Sequence, residues 1–191
     1  LYDVRHTREM LDAYKAAIPA ARSIGTLVNT HANGDHYFGN ELLRGSRIIA
    51  SRAAAEDMPN MTPAMRADAL RRWEEHGDAG KMLHEVLAPN WDFTNTVLCL
   101  PTETFEERMT LNVGDKRVEL HNVGPAHTRG DVLVHVAKDR VCYTGDILFA
   151  DAHPVIWDGP VANWIRACDL ILSWDVDTIV PGHGPVCDKA A

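Results

Sequence analysis

Apolar residues at Met10, Leu11, Tyr14, Ala17 and Ile18 recur at three- and four-residue spacing, which predicts an amphipathic helix from about Thr7 to Arg22. Gly25 breaks that period, and Thr26-Leu27-Val28-Asn29-Thr30 has the apolar, β-branched character of a buried strand. That strand delivers the chain to His31. Asp35 is placed to cap a short helix from His36 to Leu43 that Gly45 closes. Arg47 to Ser51, enclosing Ile48-Ile49-Ala50, is the next predicted strand.

Residues 52–88 change character. They are rich in alanine, methionine, arginine and glutamate, with Leu70, Trp73, Met82, Leu83 and Val86 at helical spacing, and they predict an inserted helical pair in a stretch reaching to about residue 95. Such an insertion is either a lid over an active site or packing decoration away from it. From Thr96 onward strands return. Thr110 to Val113 and Arg117 to Asn122 form a hairpin about Gly114-Asp115, and Asp131 to Ala137 pairs with Val141 to Thr144. A helix from Val161 to Ser173 and a strand at Thr178-Ile179-Val180 follow. No repeat is visible, and the alternation of strands and helices predicts an α/β (α+β) fold with helices packed on sheet.

A chain of 191 residues fits a single domain, residues 1–191, with a continuous core. The net charge of −8 and the absence of any lysine or arginine run leave no footprint for a phosphate backbone, so no nucleic-acid partner is expected. The apolar runs fall short of the roughly 20 residues that a membrane helix needs. Cys99, Cys142, Cys168 and Cys187 form no close pair and read as reduced, incidental or buried thiols, in line with a cytoplasmic setting. The chain opens at Leu1, inside the predicted helix, and reads as a fragment or a processed chain, which leaves a removed signal peptide as an open alternative.

The chemistry concentrates in four windows. Thr30-His31-Ala32-Asn33-Gly34-Asp35-His36 places two imidazoles and a carboxylate directly after a buried strand. Imidazole nitrogen and carboxylate oxygen are ligands that zinc takes at about 2.0–2.2 Å, although a polar loop with scattered histidines gives the same letters. Gly124-Pro125-Ala126-His127-Thr128-Arg129-Gly130-Asp131, Tyr143-Thr144-Gly145-Asp146 and Pro181-Gly182-His183-Gly184 each set a metal-ligand residue beside an apolar strand and a glycine that permits a tight turn. Strand ends on one rim would bring these residues together.

The order and wording of these windows resemble the metallo-β-lactamase superfamily, whose signature is H-x-H-x-D-H followed by a histidine, an aspartate and a histidine. The resemblance runs from about Ile24 to Val186. It implies a four-layer αββα sandwich, incomplete here at the N-terminus because strands usually precede the first motif, and incomplete at the C-terminus if a closing helix is missing. It also implies a first metal site using His31 and His127, and a second using Asp35, His36 and His183, with Asp146 bridging the two. Asn33 stands where the family has its second histidine, and an amide oxygen is a weaker zinc ligand than imidazole. Uneven occupancy is therefore expected, tight at Asp35, His36, Asp146 and His183 and weak near His31, Asn33 and His127. A two-metal enzyme, a one-metal enzyme and a noncatalytic metal-binding protein all remain open.

The implied cofactor is one or two Zn2+ ions, with iron or manganese as chemically acceptable substitutes. Zinc lowers the pKa of a bound water towards about 7 and polarises a carbonyl, so no serine or cysteine nucleophile is required. Asp35 would aim the attacking water, and metal-bound water or, alternatively, His153 would protonate the leaving group. Having a histidine directly after the motif aspartate resembles the glyoxalase-II-like branch, which implies hydrolysis of a small ester, thioester or lactone; β-lactam hydrolysis ranks second. Thr30 and Asp131 are candidates to orient ligand imidazoles or to cap turns. Tyr37, His153 and Trp157 are candidates for a substrate pocket or the core, and His121 and His135 read as structural or exposed. Substrate identity and oligomeric state are open from the sequence.

Overall fold

The computed structural model describes residues 24–89 and 93–191, together with Asp12, Ala16 and Ala17. Most of the helix expected between Thr7 and Arg22 thus lies outside the described residues. The chain forms two compact units, one of residues 1–27, 33–48 and 58–102, the other of residues 28–32, 49–57 and 103–191.

Two sheets carry the fold. Strands β1 (Thr26–Val28), β2 (Arg47–Ser51) and β3 (Glu103–Phe105) make a three-stranded sheet in that order, with β2 and β3 parallel and Ile49 opposite Glu103. Strands β4 (Arg108–Val113), β5 (Lys116–Asn122), β6 (Val132–Val136), β7 (Val141–Phe149) and β8 (Thr178–His183) make a five-stranded sheet in sequence order. Its first four strands are antiparallel neighbours, while β8 joins β7 in parallel. A parallel partner needs a crossover, and helix α5 (Val161–Ser173) supplies it.

Strand β6 shows why the sequence folds this way. Every residue from Val132 to Val136 is buried, because both of its faces are covered. Val132 and Val134 join Ile49, Phe105, Leu111 and Leu120 in one core, while Leu133 points into a second core with Cys142, Ile147 and Ile179. Onto that second core α5 lays Trp164, Ala167 and Ile171, at the three- and four-residue spacing of one helical face. The Trp164 indole N–H donates to the Ile147 carbonyl at 2.8 Å, so the large ring is buried without stranding its polar atom. Burial pushes the Cys142 thiol up to about 12, in keeping with an inert core cysteine, and all four cysteines are free of disulfides.

The first unit holds helices α1 (Gly34–Tyr37), α3 (Pro63–Arg71) and α4 (Gly77–Leu87), while α2 (Arg52–Asp57) belongs to the second. The region expected to be a helical pair is therefore three α-helices. The break after α2 falls at Met58-Pro59-Asn60, and Thr62 then starts α3 afresh, its side chain accepting from the Met65 N–H at 3.1 Å with Pro63 behind it. Strand structure returns at Glu103 rather than at Thr96. Tyr37 is core: its ring lies against Phe38 and its hydroxyl donates to the Met58 carbonyl at 2.9 Å. No helix among the described residues is long and apolar enough to cross a membrane.

Candidate metal centre

Three of the expected ligands meet in the second unit around a fourth, the Asp146 carboxylate. Nε2 of His31, His127 and His183 lie 3.6, 3.2 and 3.3 Å from Oδ2 of Asp146. Each imidazole is thus within ion-pair distance of the same carboxylate oxygen, and imidazole nitrogen and carboxylate oxygen are the donor types that zinc takes. His31, His127 and Asp146 are buried, whereas a third of the His183 side chain is exposed. Burying a carboxylate among imidazoles is costly in itself and becomes favourable when a cation is shared.

Each of these candidate ligands is held by the strand or turn that carries it. The Thr30 carbonyl accepts from Val132 N–H at 2.8 Å, and Thr30 Oγ1 lies 3.0 Å from His31 Nδ1, which turns the other ring nitrogen towards Asp146. His127 sits in a turn held by Asp131, whose carboxylate accepts from the Thr128 N–H at 3.0 Å and the Thr128 hydroxyl at 2.7 Å. Burial pushes the Asp131 carboxyl up to about 6 against the pull of those hydrogen bonds. Asp131 thus fixes the turn and Thr30 contacts the ring, which separates the two alternatives that their positions left open. His127 Nδ1 lies 2.6 Å from the Val155 carbonyl oxygen, and its ring meets that of His31 edge-on at 4.9 Å.

Asp146 was expected just past a strand end, yet β7 runs on to Phe149 because β8 continues to pair with it, Gly145 opposite Pro181 and Phe149 opposite His183. The same continuation carries His183 to the end of β8, where Phe149 stacks on its ring at 5.1 Å. Two glycines make room for this convergence. A Cβ on Gly182 would lie 2.0 Å from Asp146 Oδ1, and one on Gly145, whose φ is +51°, would lie 2.7 Å from the Thr30 Cβ.

The remaining motif residues belong to the first unit. Asn33, not Asp35, is the N-cap residue of α1, with φ −86° and ψ 140° and no capping bond from its side chain. Asp35 lies in the first turn, its Oδ2 2.9 Å from His36 Nε2. The Val155 carbonyl partner of His127 went unread in the sequence, because a backbone oxygen has no letter of its own. Phe149 had a weak signal as an aromatic following the aspartate window.

The geometry agrees with a wider comparison. The family model described as the metallo-beta-lactamase superfamily matches residues 4–183. The chain belongs to the metallo-β-lactamase superfamily. A hydroxyacylglutathione hydrolase from Mesorhizobium japonicum is 44% identical over 48 residues, which span 25% of this chain and 18% of that enzyme. Among solved structures, a metallo-β-lactamase from Pontibacter korlensis superposes with a TM-score of 0.67 at 18% identity, covering 96% of this chain and 71% of that one. The metallo-β-lactamase FIM-1 from Pseudomonas aeruginosa, in its mono-zinc form, gives 0.63 at 15% identity, with 99% and 71% covered. These likenesses concern the superfamily fold.

Proposed function

We propose that this superfamily member is a metal-dependent hydrolase of a small ester, thioester or lactone. The observation that carries the reading is the convergence of three imidazole Nε2 atoms on one oxygen of Asp146 within 3.6 Å. The local similarity to a hydroxyacylglutathione hydrolase favours a thioester within that class. His31, His127, Asp146 and His183 would hold the metal, and the motif adds Asp35 and His36. Zinc is the preferred ion for this nitrogen and oxygen donor set.

When bound, the metal supplies a Lewis acid that polarises the scissile carbonyl and makes water acidic enough to attack near neutral pH. Asp35 would accept a hydrogen bond from the attacking water and so orient it towards the carbonyl carbon. The Val155 carbonyl and Thr30 hydroxyl fix two imidazole rings so that little reorganisation is needed as charge develops.

Elemental analysis of the purified protein, paired with nitrophenyl esters, acyl thioesters, lactones and the β-lactam nitrocefin, tests this reading. Bound zinc with turnover of an ester, thioester or lactone is expected. Preferential turnover of nitrocefin would replace the reading with a lactamase, and full metal content with no turnover of any of these would remove it in favour of a metal-binding protein. In a second measurement, Asn33→His should raise metal content towards two ions per chain. Unchanged content would mean that position 33 does not limit occupancy.

A further inference from the structure

The eleven residues that leave β7 for α5 are tied to candidate metal-ligand residues at both ends. At the start, the Ala150 N–H donates to the His183 carbonyl at 2.9 Å. Further on, the Val155 carbonyl oxygen lies 2.6 Å from His127 Nδ1, and the Trp157 and Asp158 N–H groups donate to the His127 carbonyl at 3.0 and 3.3 Å. Gly159 N–H then donates to the Ala126 carbonyl at 2.8 Å. The segment therefore runs along the rim of the centre from one ligand to another on a fixed backbone.

Its side chains are not spent on folding. Val155, Ile156 and Trp157 are 42%, 50% and 66% exposed, and none joins the two cores of this unit. Three consecutive large apolar residues left in water on a hydrogen-bonded backbone mark a surface built to be covered. The charge pattern narrows what covers it: no lysine or arginine occurs between Arg140 and Arg166, while Asp151 and Asp158 flank the apolar triplet. An anionic substrate group would find no lysine or arginine on this wall, with His153 its one basic side chain, and two carboxylates beside it.

We propose that Val155, Ile156 and Trp157 form the wall that seats the uncharged, apolar acyl portion of the substrate, with Trp157 its main specificity residue. The proposal rests on the hydrolase reading above and sharpens it: the preferred substrates are lipophilic neutral esters, thioesters or lactones rather than carboxylated ones. Each methylene laid on such a wall strengthens binding by about threefold.

The test is a series of nitrophenyl esters from acetate to octanoate, with the monoester of succinate as the charged member, assayed on the zinc-loaded protein and on the Trp157→Ala, Trp157→Phe and Ile156→Ser variants. In the parent, kcat/KM should rise about threefold per methylene over the middle of the series, and the succinate ester should fall below the butyrate ester. Trp157→Ala should flatten that slope to under half in logarithmic terms, Ile156→Ser should flatten it less, and Trp157→Phe should keep most of it. An unchanged slope in Trp157→Ala, or a preference for the succinate ester, would overturn the proposal. Saturation-transfer NMR with 1-octanol and 1-butanol gives a readout free of turnover. If no ester of the series is cleaved, the ester arm of the hydrolase reading fails and the two alcohols decide the wall. Octanol binding in preference to butanol, lost in Trp157→Ala, would then still uphold the wall, and equal binding of the two alcohols by the parent would overturn it.

Discussion

The strand ends of the second unit and the helices of the first are built to different tolerances. Around Asp146 every ligand is positioned by at least one strand ladder or turn hydrogen bond, and a Cβ at Gly182 has no room. Along α3 and α4, in contrast, Met65, Met82 and Val86 face solvent and the polar contacts are exposed pairs such as Arg72 with Asp68 and Glu75. Such pairs contribute little, with a median of about 0–1 kcal/mol. Backbone ladders fix positions to fractions of an ångström, whereas exposed helical faces absorb substitution, which is why the chemistry gathers on the former.

The largest effect that would expose this difference comes from the carboxylate at the centre. Asp146→Ala should strip zinc, as read by elemental analysis, and lower turnover by more than about a hundredfold; retained zinc would break the assignment. A second contrast is in stability. Ile171→Ala opens a void in the core under α5 and should cost about 2–5 kcal/mol in denaturant melts, while Met82→Ser on α4 should stay within about 0.5 kcal/mol. Equal losses would mean that the helices are as tightly specified as the sheet. Gly182→Ala comes next, with about 1–3 kcal/mol from the clash with Asp146 and a fall in zinc content that a purely structural glycine would not produce.

The smallest effect concerns strand β5. On β5, His121 lies opposite Arg108, 3.8 Å from Glu119 and against the Trp174 ring, and burial followed by the Arg108 charge pulls its pKa below the ordinary 6.5. The folded state therefore binds fewer protons there than the unfolded chain, so stability is full above about pH 6.5 and declines as the pH falls below it. His121→Gln, which cannot titrate, should show a shallower loss of denaturation midpoint between pH 7 and pH 5 than the parent. An identical pH dependence would remove His121 from that account.

What could be read from the sequence divides along the same line. The two hairpins, helix α5 and the ligand windows were legible because alternation and helical spacing are local, and because histidine and aspartate beside glycine are conspicuous letters. Less legible was where strands stop. β7 and β8 extend each other through Gly145 and Phe149, a pairing between segments more than thirty residues apart that no window contains. The cap of α1 was misplaced from Asn33 to Asp35 because both are good capping residues and the side chain of Asn33 makes no capping bond. The split of the insertion into three helices at Met58-Pro59-Asn60 was readable in hindsight from Pro59 and Thr62, whereas the hold of Val155 on His127 was not.

Trp164 adds an optical consequence. Its indole is buried with its N–H bonded to Ile147, and its ring centre lies 5.9 Å from that of His127. Of the five tryptophans in the chain, this one lies against a residue of the candidate metal centre, while Trp157 is exposed at the surface. Loading the protein with Cu2+ or Co2+ should quench the blue-shifted part of the emission first, turning a residue placed for packing into an intrinsic gauge of metal occupancy.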